Sequence, residues 1–204
     1  MARSDVQLML DVKSGDESSF DFLLTKYRLP LVNFLYRMVR DRATAEDLAQ
    51  DVFLRVYRAR KQYVPRAKFT TWLFRIATNV ALNSVRDNRR QKLEVSLDAP
   101  RSADEDSHPR DLPAEEMRID EHLLERHRVE LIQRAIASLP EKQRAAVLLH
   151  KYEEMDYAEI AKILNCTEAA LRSLLFRAYE NLRVQLGPLV NPPALQRAGE
   201  RRPS

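Results

Sequence analysis

Apolar residues recur every three to four positions through most of this chain, the spacing that places them on one face of an α-helix. Near the N-terminus one such stripe consists of Phe20, Leu23, Leu24, Tyr27, Leu31, Phe34, Leu35 and Met38. Side chains that cap helix N-termini occur at Ser4, at Asp16, and at Asp41 or Thr44. The pattern predicts four N-terminal helices: 5–13, one that follows Asp16 and is broken or restarted at Pro30, one ending near 58, and one over about 70–90.

The C-terminal third predicts four more helices, over 128–138, over 141–151, from Asp156 and from Thr167. Asp156 followed by Glu159 is a capping box, and Asn165 suits a left-handed helix C-cap, so a tight turn is predicted between the last two helices. Cys166 is then a small turn residue. Spacing alone leaves two interpretations open: a DNA-binding helix-turn-helix, or a helical hairpin with a solvated basic face.

The last helix has two distinct faces. One is apolar and is formed by Leu171, Leu175, Ala178 and Leu182. The residues Arg172, Ser173, Phe176 and Arg177, two of them basic, fall largely on the opposite face. A recognition helix needs one face that anchors it and one that meets a DNA groove, so these four residues, with the N-cap Thr167, are the predicted duplex contacts.

Charge divides the chain into parts. The net charge is +4, but residues 96–126 hold ten acidic and four basic side chains, a net of −6, so the remainder carries +10. With three prolines and few large apolar residues before Met117, this stretch predicts a solvated linker. The predicted organisation is all-α: a helical domain over 1–95, a flexible acidic linker over 96–126, a second helical domain over 127–186, and a disordered tail over 187–204.

Composition excludes several classes of protein. With 3 glycines, none in a phosphate-binding pattern, and 1 cysteine, nucleotide-binding loops and cysteine-based metal sites are not expected. The four histidines His108, His122, His127 and His150 are interpreted as ordinary surface residues. We therefore expect no enzyme activity, no cofactor and no metal. No apolar run approaches the roughly 20 residues of a membrane span, and no signal peptide is present, so a cytoplasmic protein without direct membrane insertion is expected.

The third helix carries an acidic, polar stripe on the face opposite its apolar residues. The stripe consists of Asp47, Gln50, Asp51 and Arg55. It lies in a protein that is basic outside the linker. One interpretation is a plain solvated face, and the other is a docking surface for a basic partner helix.

The fourth helix predicts a nucleic-acid surface. Arg75, Asn79, Asn83 and Arg86 or Arg90 share one face, and asparagine and arginine suit base edges and phosphates. Before and at the start of that helix, the aromatic residues Tyr63, Phe69 and Trp72 alternate with the basic residues Lys61, Arg66 and Lys68. Aromatic residues interleaved with basic ones are typical of single-stranded nucleic-acid binding. The alternative is that Phe69 and Trp72 are core residues.

These motifs together resemble the extracytoplasmic-function (group IV) sigma factors of bacterial RNA polymerase, members of the sigma-70 family. The segment 45–54, followed by Phe69-Thr-Thr-Trp-Leu73, Arg75-Ile-Ala77 and Asn79, is similar to sigma region 2. Region 4 is resembled by four segments: Leu139-Pro140, 157–161, Arg172-Ser173 and Phe176-Arg177-Ala178. The resemblance covers about residues 5–92 and 127–186, in the family's order.

The resemblance implies an alternative sigma factor that directs promoter-specific transcription initiation while the polymerase performs catalysis. The stripe at 47–55 would dock on the clamp helices of the β′ subunit, and the β flap would be a further contact on the polymerase. The loop at about 60–71 and the face of Asn79 and Asn83 would recognise the −10 element and hold a flipped base. Region 4 would recognise the −35 element, the linker would enter the polymerase channels, and an anti-sigma factor would be a further partner.

Four residues at three places depart from the family pattern. Asn165 stands where the family often has glycine, Ala169-Ala170 where Gly-Thr is frequent, and Leu174 where a basic residue is common. The fold is expected to tolerate them. Because position 174 lacks a basic side chain, a weaker salt-dependent contact with DNA phosphates is expected there. A competing hypothesis is a free-standing DNA-binding regulator, which explains the recognition helix but not the acidic stripe, and which predicts tight duplex binding without polymerase.

Overall fold

The computed structural model describes residues 3–98 and 121–190, and within these ranges every regular element is helical, as the sequence predicts. The N-terminal bundle contains α1 (Asp5–Ser14), α2 (Glu17–Val39), α3 (Arg42–Ala59), a 3-10 turn (Arg60–Gln62) and α4 (Phe69–Asp98). The C-terminal bundle contains α5 (Glu121–Ser138), α6 (Glu141–Lys151), α7 (Tyr157–Leu164) and α8 (Glu168–Val190).

The predicted N-caps begin the first three helices. Ser4 accepts a hydrogen bond from the backbone N–H of Gln7, and Asp16 accepts one from Ser18. Asp41 accepts from the N–H of Thr44 at 2.7 Å, so α3 begins directly after Asp41. Each of these bonds satisfies a donor that the first turn of a helix leaves without an intrahelical partner.

The prediction that Pro30 breaks the second helix is wrong, because α2 runs unbroken through it. Proline removes one intrahelical hydrogen bond, a local cost that packing can offset. Leu31, Phe34 and Leu35 follow directly and are fully buried. Their burial against α3 and α4 stabilises the helix beyond the proline, and Pro30 itself lies on the exposed side.

Aromatic contacts from α2 to α4 hold the N-terminal bundle together. Phe34 meets Phe74 edge to face, with ring centroids 5.3 Å apart. Tyr27 packs on Phe69 at 5.4 Å. Both geometries suit the quadrupoles of aromatic rings. Because these pairs fix the start of α4, they also position the polar face that follows on that helix.

Three predicted element ends differ from the structure. Helix α4 continues to Asp98, where the sequence predicts an end near residue 90. Helix α5 begins at Glu121, seven residues before the predicted start, and an ion pair between Glu125 and Arg128 at 3.8 Å supports this early segment. Helix α8 continues through Gly187 to Val190, where the sequence predicts that the tail begins. Residues 99–120 and 191–204, which carry most of the predicted linker and tail, lie outside the described residues.

The two bundles pack against each other, which the sequence did not predict. Helix α4 lies along α7, and α2 contacts α5 and α6. Met155, in the turn before α7, is buried in the same apolar core as the side chains of α2 and α4. In the described part of the chain, no helix combines the length and apolar character that crossing a membrane requires.

Candidate nucleic-acid and protein-docking surfaces

The polar stripe of α3 lies on the outside of the N-terminal bundle. Asp47, Gln50 and Arg55 are exposed and Asp51 is half-buried, whereas the predicted inward residues Val52, Phe53 and Val56 are buried and Leu48 packs against the core. The Nε of Arg55 donates to Asp51 at 2.9 Å, one turn away on the same helix. The most accessible carboxylate of the stripe is therefore that of Asp47.

An open groove of about 550 Å³ between α2 and α3 adjoins this stripe. Its floor is apolar, with Phe20, Leu24 and Phe53, and Gln50 of the stripe lies on its wall. A partner that contacts the stripe therefore also meets apolar surface in this groove.

The predicted polar face of α4 is present and accessible. Arg75, Asn79, Asn83, Arg86 and Arg90 are all exposed along one side of the helix. In the loop before it, Lys61 and Arg66 are also exposed. The basic residues that the sequence singled out therefore form a continuous surface, which we call the α4 surface.

The aromatic residues next to this surface behave differently from the prediction. Tyr63 and Phe69 are only 3% and 2% exposed, so neither ring is placed to stack on bases, and the alternative that Phe69 is a core residue is the correct one. They pack on Trp72, with ring centroids 4.9 Å and 6.0 Å away. Trp72 is half-buried and lies between this cluster and solvent. Of the three rings, Trp72 alone is accessible, and the other two support it.

A cavity of about 500 Å³ opens beside Trp72. Its polar wall is formed by Gln62, Arg66, Thr71 and Arg75. Lys162, which belongs to α7 in the other bundle, also lines the cavity. The cavity thus combines a half-exposed aromatic ring with hydrogen-bond donors and positive charge.

Glu159 of α7 reaches across to the α4 surface, a contact that sequence analysis missed. Its Oε1 accepts a hydrogen bond from the hydroxyl of Thr71 at 3.1 Å and lies 3.1 Å from the Nζ of Lys68. Its Oε2 accepts from the backbone N–H of Asp156 at 3.3 Å, which completes the predicted capping box. The residues in contact are 88 positions apart, so no local pattern indicates the pairing.

Arg144 of α6 is a second missed residue. Its guanidinium donates to the carbonyl oxygens of Met38 at 2.5 Å and Leu139 at 3.2 Å, and to that of Ala137. Burial lowers the pKa of Arg144, yet an arginine stays charged in proteins. Carbonyl groups at helix C-termini carry partial negative charge, so one cation joins the end of α2 to the end of α5.

The turn between α6 and α7 also faces the N-terminal bundle. The guanidinium of Arg37 lies 4.1 Å from the ring centroid of Tyr152. Burial raises the pKa of Glu153 to about 7, and the nearby charge of Arg37 opposes that rise. A carboxyl group in this environment gains or loses its proton near neutral pH.

The outer face of α8 matches the prediction for a recognition helix. Leu171, Leu175, Ala178 and Leu182 are buried, whereas Thr167, Arg172, Ser173, Phe176 and Arg177 are exposed. A phenylalanine ring that is 67% exposed, as Phe176 is, has little contact with its own chain. Arg172 lies 3.8 Å from Glu168 in the first turn, so part of its charge is balanced within the helix.

The turn before α8 has the predicted conformation. Asn165 adopts the left-handed region with φ 51°, and the Oγ1 of Thr167 accepts from the N–H of Ala170 at 3.2 Å. Cys166 is half-buried there. Leu174 packs against the core beside the apolar stripe.

One histidine differs from the sequence interpretation. The Nδ1 of His150 lies 2.7 Å from the hydroxyl of Tyr179, and burial lowers its pKa, so His150 is part of the C-terminal bundle rather than an ordinary surface residue. Within the described ranges, no group of three or more His, Cys, Asp or Glu residues is placed to hold a metal ion.

Comparison with protein families matches both bundles. Residues 23–91 match the family model for Sigma-70 region 2, and residues 129–182 match the model for Sigma-70 region 4. The chain is 32% identical over 187 residues to the RNA polymerase sigma-H factor of Pseudomonas aeruginosa, covering 91% of this chain and 95% of that protein. It is 31% identical over 179 residues to the ECF RNA polymerase sigma factor SigW of Bacillus subtilis, covering 87% and 94%.

Two solved structures with the same fold are complexes of another protein chain with a partner. CnrH, solved with the cytosolic domain of CnrY, superposes with a TM-score of 0.65 at 19% identity, covering 91% of this chain and 98% of that one. The sigma factor RpoE of Bartonella quintana, solved with the anti-sigma factor NepR, superposes with a TM-score of 0.62 at 21% identity, covering 82% and 96%.

Proposed function

This chain belongs to the sigma-70 family of RNA polymerase sigma factors, in its extracytoplasmic-function group, and we propose which of its surfaces bind polymerase and which bind promoter DNA. As a sigma factor it binds core RNA polymerase and directs promoter-specific transcription initiation. The relatives are initiation factors, so the chemistry of RNA synthesis belongs to the polymerase. Its place of action is the cytoplasm, where polymerase and chromosome meet.

The proposed polymerase-docking surface is the α3 stripe of Asp47, Gln50, Asp51 and Arg55. The observation that supports it is an exposed stripe with two carboxylates in a chain whose described residues hold more basic than acidic side chains. Acidic side chains attract a basic partner helix and disfavour DNA at the same place. We assign the β′ clamp helices to this stripe, with the adjoining apolar groove as part of the same contact.

The α4 surface is proposed to recognise the −10 element. Asn79 and Asn83 offer amide groups to base edges, and the flanking arginines offer charge to phosphates. The cavity beside Trp72 is proposed to hold a flipped base of the non-template strand. Flipping costs a few kcal/mol, which stacking on Trp72 and polar contacts in the cavity would offset.

The outer face of α8 is proposed to recognise the −35 element. Arg172, Ser173, Phe176 and Arg177 would contact bases and phosphates, and Thr167 would lie at the N-terminus of the helix, near the backbone. This division assigns residues 1–95 to polymerase docking and the −10 element, and 127–186 to the −35 element and the β flap, with 96–126 as the connection.

An anti-sigma partner is also proposed. One solved sigma factor with this fold was crystallised with the anti-sigma factor NepR. The accessible stripe and groove on α3 are the surfaces that such a partner would have to cover to prevent polymerase docking. Competition between the partner and core polymerase for this chain would test the assignment, and simultaneous binding of both would contradict it.

The deciding experiment is co-elution of the purified chain with core RNA polymerase from its own organism. Wild type is expected to co-elute, whereas Asp47→Arg is expected to lose binding because it places a cation against a basic partner. Glu130→Arg, an equal charge change at an exposed position of α5, is the matched control and should bind normally. A folded wild-type chain that fails to bind would favour the free-standing regulator.

A further inference from the structure

Two neighbouring spaces open along the contact between the bundles. One is the cavity of about 500 Å³ beside Trp72. The other is a cleft of about 550 Å³ between α4, α6 and α7, which we call the inter-bundle cleft. Arg75 and Lys162 line both spaces, so the cavity and the cleft adjoin at these two side chains. The polar lining of the cleft consists of Arg75, Asn79, Asn83, Arg86, Lys142, Lys162 and Asn165.

The inter-bundle cleft gathers positive charge from three helices. Arg75 and Arg86 belong to α4, Lys142 belongs to α6, and Lys162 belongs to α7. No acidic residue is among the described residues that line either space. Cations gathered in a cleft repel one another, and protein walls of low dielectric constant strengthen their attraction for an anion. The cleft therefore suits a ligand with several negative charges.

The acidic side chains of α6 and α7 have partners outside the cleft. The carboxylate of Glu141 on α6 lies 4.0 Å from Arg89, and that of Glu159 on α7 lies 3.1 Å from Lys68. Asp87 of α4 is exposed and does not line the cleft. Within the described ranges, these acids therefore leave the positive charge of the cleft uncompensated.

The two adjoining spaces offer different chemistry. The cavity contains the half-exposed indole ring of Trp72, on which a flat base can stack. The described lining of the cleft has no aromatic residue and presents guanidinium, ammonium and amide donors. An extended single strand uses a stacking site for each of several successive bases. One accessible stacking ring beside concentrated charge instead suits a single base that carries several phosphates.

The positions of the cations favour a chain of phosphates over a single phosphate. On α4, Arg75 and Arg86 lie about 16 Å apart along the helix axis, at roughly 1.5 Å per residue. Lys142 and Lys162 approach this row from the other bundle. A single phosphate could contact only part of the row, whereas a polyphosphate can contact cations of all three helices. Charge-assisted hydrogen bonds of this kind are roughly twice as strong as neutral ones.

Side chains, rather than a glycine-rich loop, would hold these phosphates. No glycine is among the described residues of the cleft, in agreement with a sequence that has no phosphate-binding glycine pattern. Arg75 and Lys162 are 87 positions apart, so no local motif marks the site. The site forms only where α4 packs against α6 and α7.

We propose that the two spaces together bind a nucleoside polyphosphate, with its base on Trp72 and its phosphates in the inter-bundle cleft. Arg75 and Lys162 would contact the part of the ligand that joins the base to the phosphates, because they line both spaces. Arg86 and Lys142 would contact the terminal phosphates. The site shares Arg75 with the proposed −10 surface, but nucleotide binding does not depend on that assignment.

The test uses the full-length chain without polymerase or DNA, and ATP is the probe. Trp72 is the chain's one tryptophan, so its fluorescence reports the base-binding cavity directly. We expect ATP to quench this fluorescence to saturation, and isothermal titration calorimetry should give the same dissociation constant. Inorganic tripolyphosphate should displace ATP but bind about fivefold more weakly, because it has no base to stack on the ring.

Substitutions test the two spaces separately. Lys142→Gln should weaken ATP binding about fivefold, and Lys142 belongs to none of the proposed polymerase or promoter contacts. Lys151→Gln, the same charge change at an exposed position near the other end of α6, is the matched control and should bind ATP normally. By calorimetry, Trp72→Ala should weaken binding of ATP but not of tripolyphosphate. If Trp72→Ala fails to fold, the two ligands are compared on wild type alone.

Four results would overturn the proposal. A folded wild-type chain that does not bind ATP would remove the site. Equal losses in Lys142→Gln and Lys151→Gln would indicate a general charge effect. Tripolyphosphate that binds wild type as tightly as ATP would remove the role of Trp72. A short oligodeoxyadenylate that binds more tightly than ATP, with the same loss in Lys142→Gln, would make the cleft a nucleic-acid site instead. Polymerase co-elution does not depend on any of these results, so the sigma-factor function is tested separately.

Discussion

The guanidinium of Arg55 donates to the carboxylate of Asp51 at 2.9 Å, one helical turn away on the proposed docking stripe. This pair withholds part of the negative charge of Asp51 from any partner. The sequence listed both residues as equal members of the stripe. In the structure, Arg55 instead reduces the attraction between the stripe and a basic partner. Asp47 is left as the main exposed acidic residue.

Arg55→Ala is therefore expected to strengthen binding to core polymerase by about two- to threefold. The substitution frees Asp51 and makes the stripe more acidic, and exposed ion pairs of this kind contribute about 1 kcal/mol or less. Titration of labelled protein with core enzyme at two salt concentrations measures the change. Weaker binding would show instead that Arg55 contacts the polymerase directly.

Arg177→Ala should weaken holoenzyme binding at the −35 element by about tenfold or more. A well-placed arginine–base contact contributes roughly 1–3 kcal/mol of discrimination. The measurement is affinity for a promoter selected from genomic fragments by the wild-type holoenzyme. Arg134→Ala, an exposed arginine of α5 paired with Glu130, is the matched control. Equal losses in both variants would indicate a general charge effect rather than recognition.

Asn165 should tolerate glycine but not alanine. Its φ of 51° lies in the left-handed region, where a residue with Cβ and no hydrogen-bonding side chain is penalised by roughly 1–2 kcal/mol. Asn165→Ala should lower the free energy of unfolding by about 1 kcal/mol, whereas Asn165→Gly should leave it equal or slightly higher. Urea unfolding followed by circular dichroism compares them. If alanine proved neutral, the turn would have another conformation in solution.

Stability should fall as the pH rises from about 4.5 to about 7, through Glu153. Burial raises the pKa of this carboxyl in the folded chain from 4.5 to about 7. The folded state then binds a proton that the unfolded state has already released, so folding is favoured at the acidic end of this window and loses that advantage by its upper end. Because the Glu153 carboxyl keeps some contact with water, the free energy of unfolding should fall by about 1–2 kcal/mol across this pH range.

Several ionisable groups face Glu153 from the elements packed around it, and their charges act on its protonation. They are Arg37 and Tyr27 on α2, Lys68 before α4, Glu154 in the same turn, and Glu159 on α7. Glu153→Gln keeps the shape of the side chain and removes the titration. The difference between the two proteins in urea unfolding at pH 5 and pH 8 isolates its contribution. Parallel pH profiles would contradict the assignment.

Local patterns were sufficient for the helices and for most of the surface chemistry. Capping residues act on the next three backbone donors, so Asp41 and Asp156 were recognisable from the sequence. The division of α8 into a buried stripe and an exposed basic face followed from its period. The prediction of a helix break at Pro30 was wrong because it counted only the local cost of a missing hydrogen bond. The burial of Leu31 and Phe34, which offsets that cost, depends on tertiary packing.

Burial of the aromatic residues could not be settled from the sequence. Tyr63, Phe69 and Trp72 follow one compositional pattern, and the same pattern suits a stacking surface or a core. Only packing against α1, α2 and α3 places Tyr63 and Phe69 inside and leaves Trp72 at the edge. The distinction depends on which other helices are near, and one-dimensional spacing holds no such information.

By itself, the sequence determined an all-helical chain with two sigma-like halves, an acidic stripe and two basic faces, because each of these depends on residues a few positions apart. The tertiary structure alone decided that the halves pack together, with Glu159 on Lys68 and Thr71 and with Arg144 on the carbonyl of Met38. Those contacts join residues roughly 90 to 106 positions apart. Such contacts form only when distant segments of the chain are brought together, which costs loop-closure entropy. The packing energies that offset this cost come from the whole core, so no local sequence pattern predicts them.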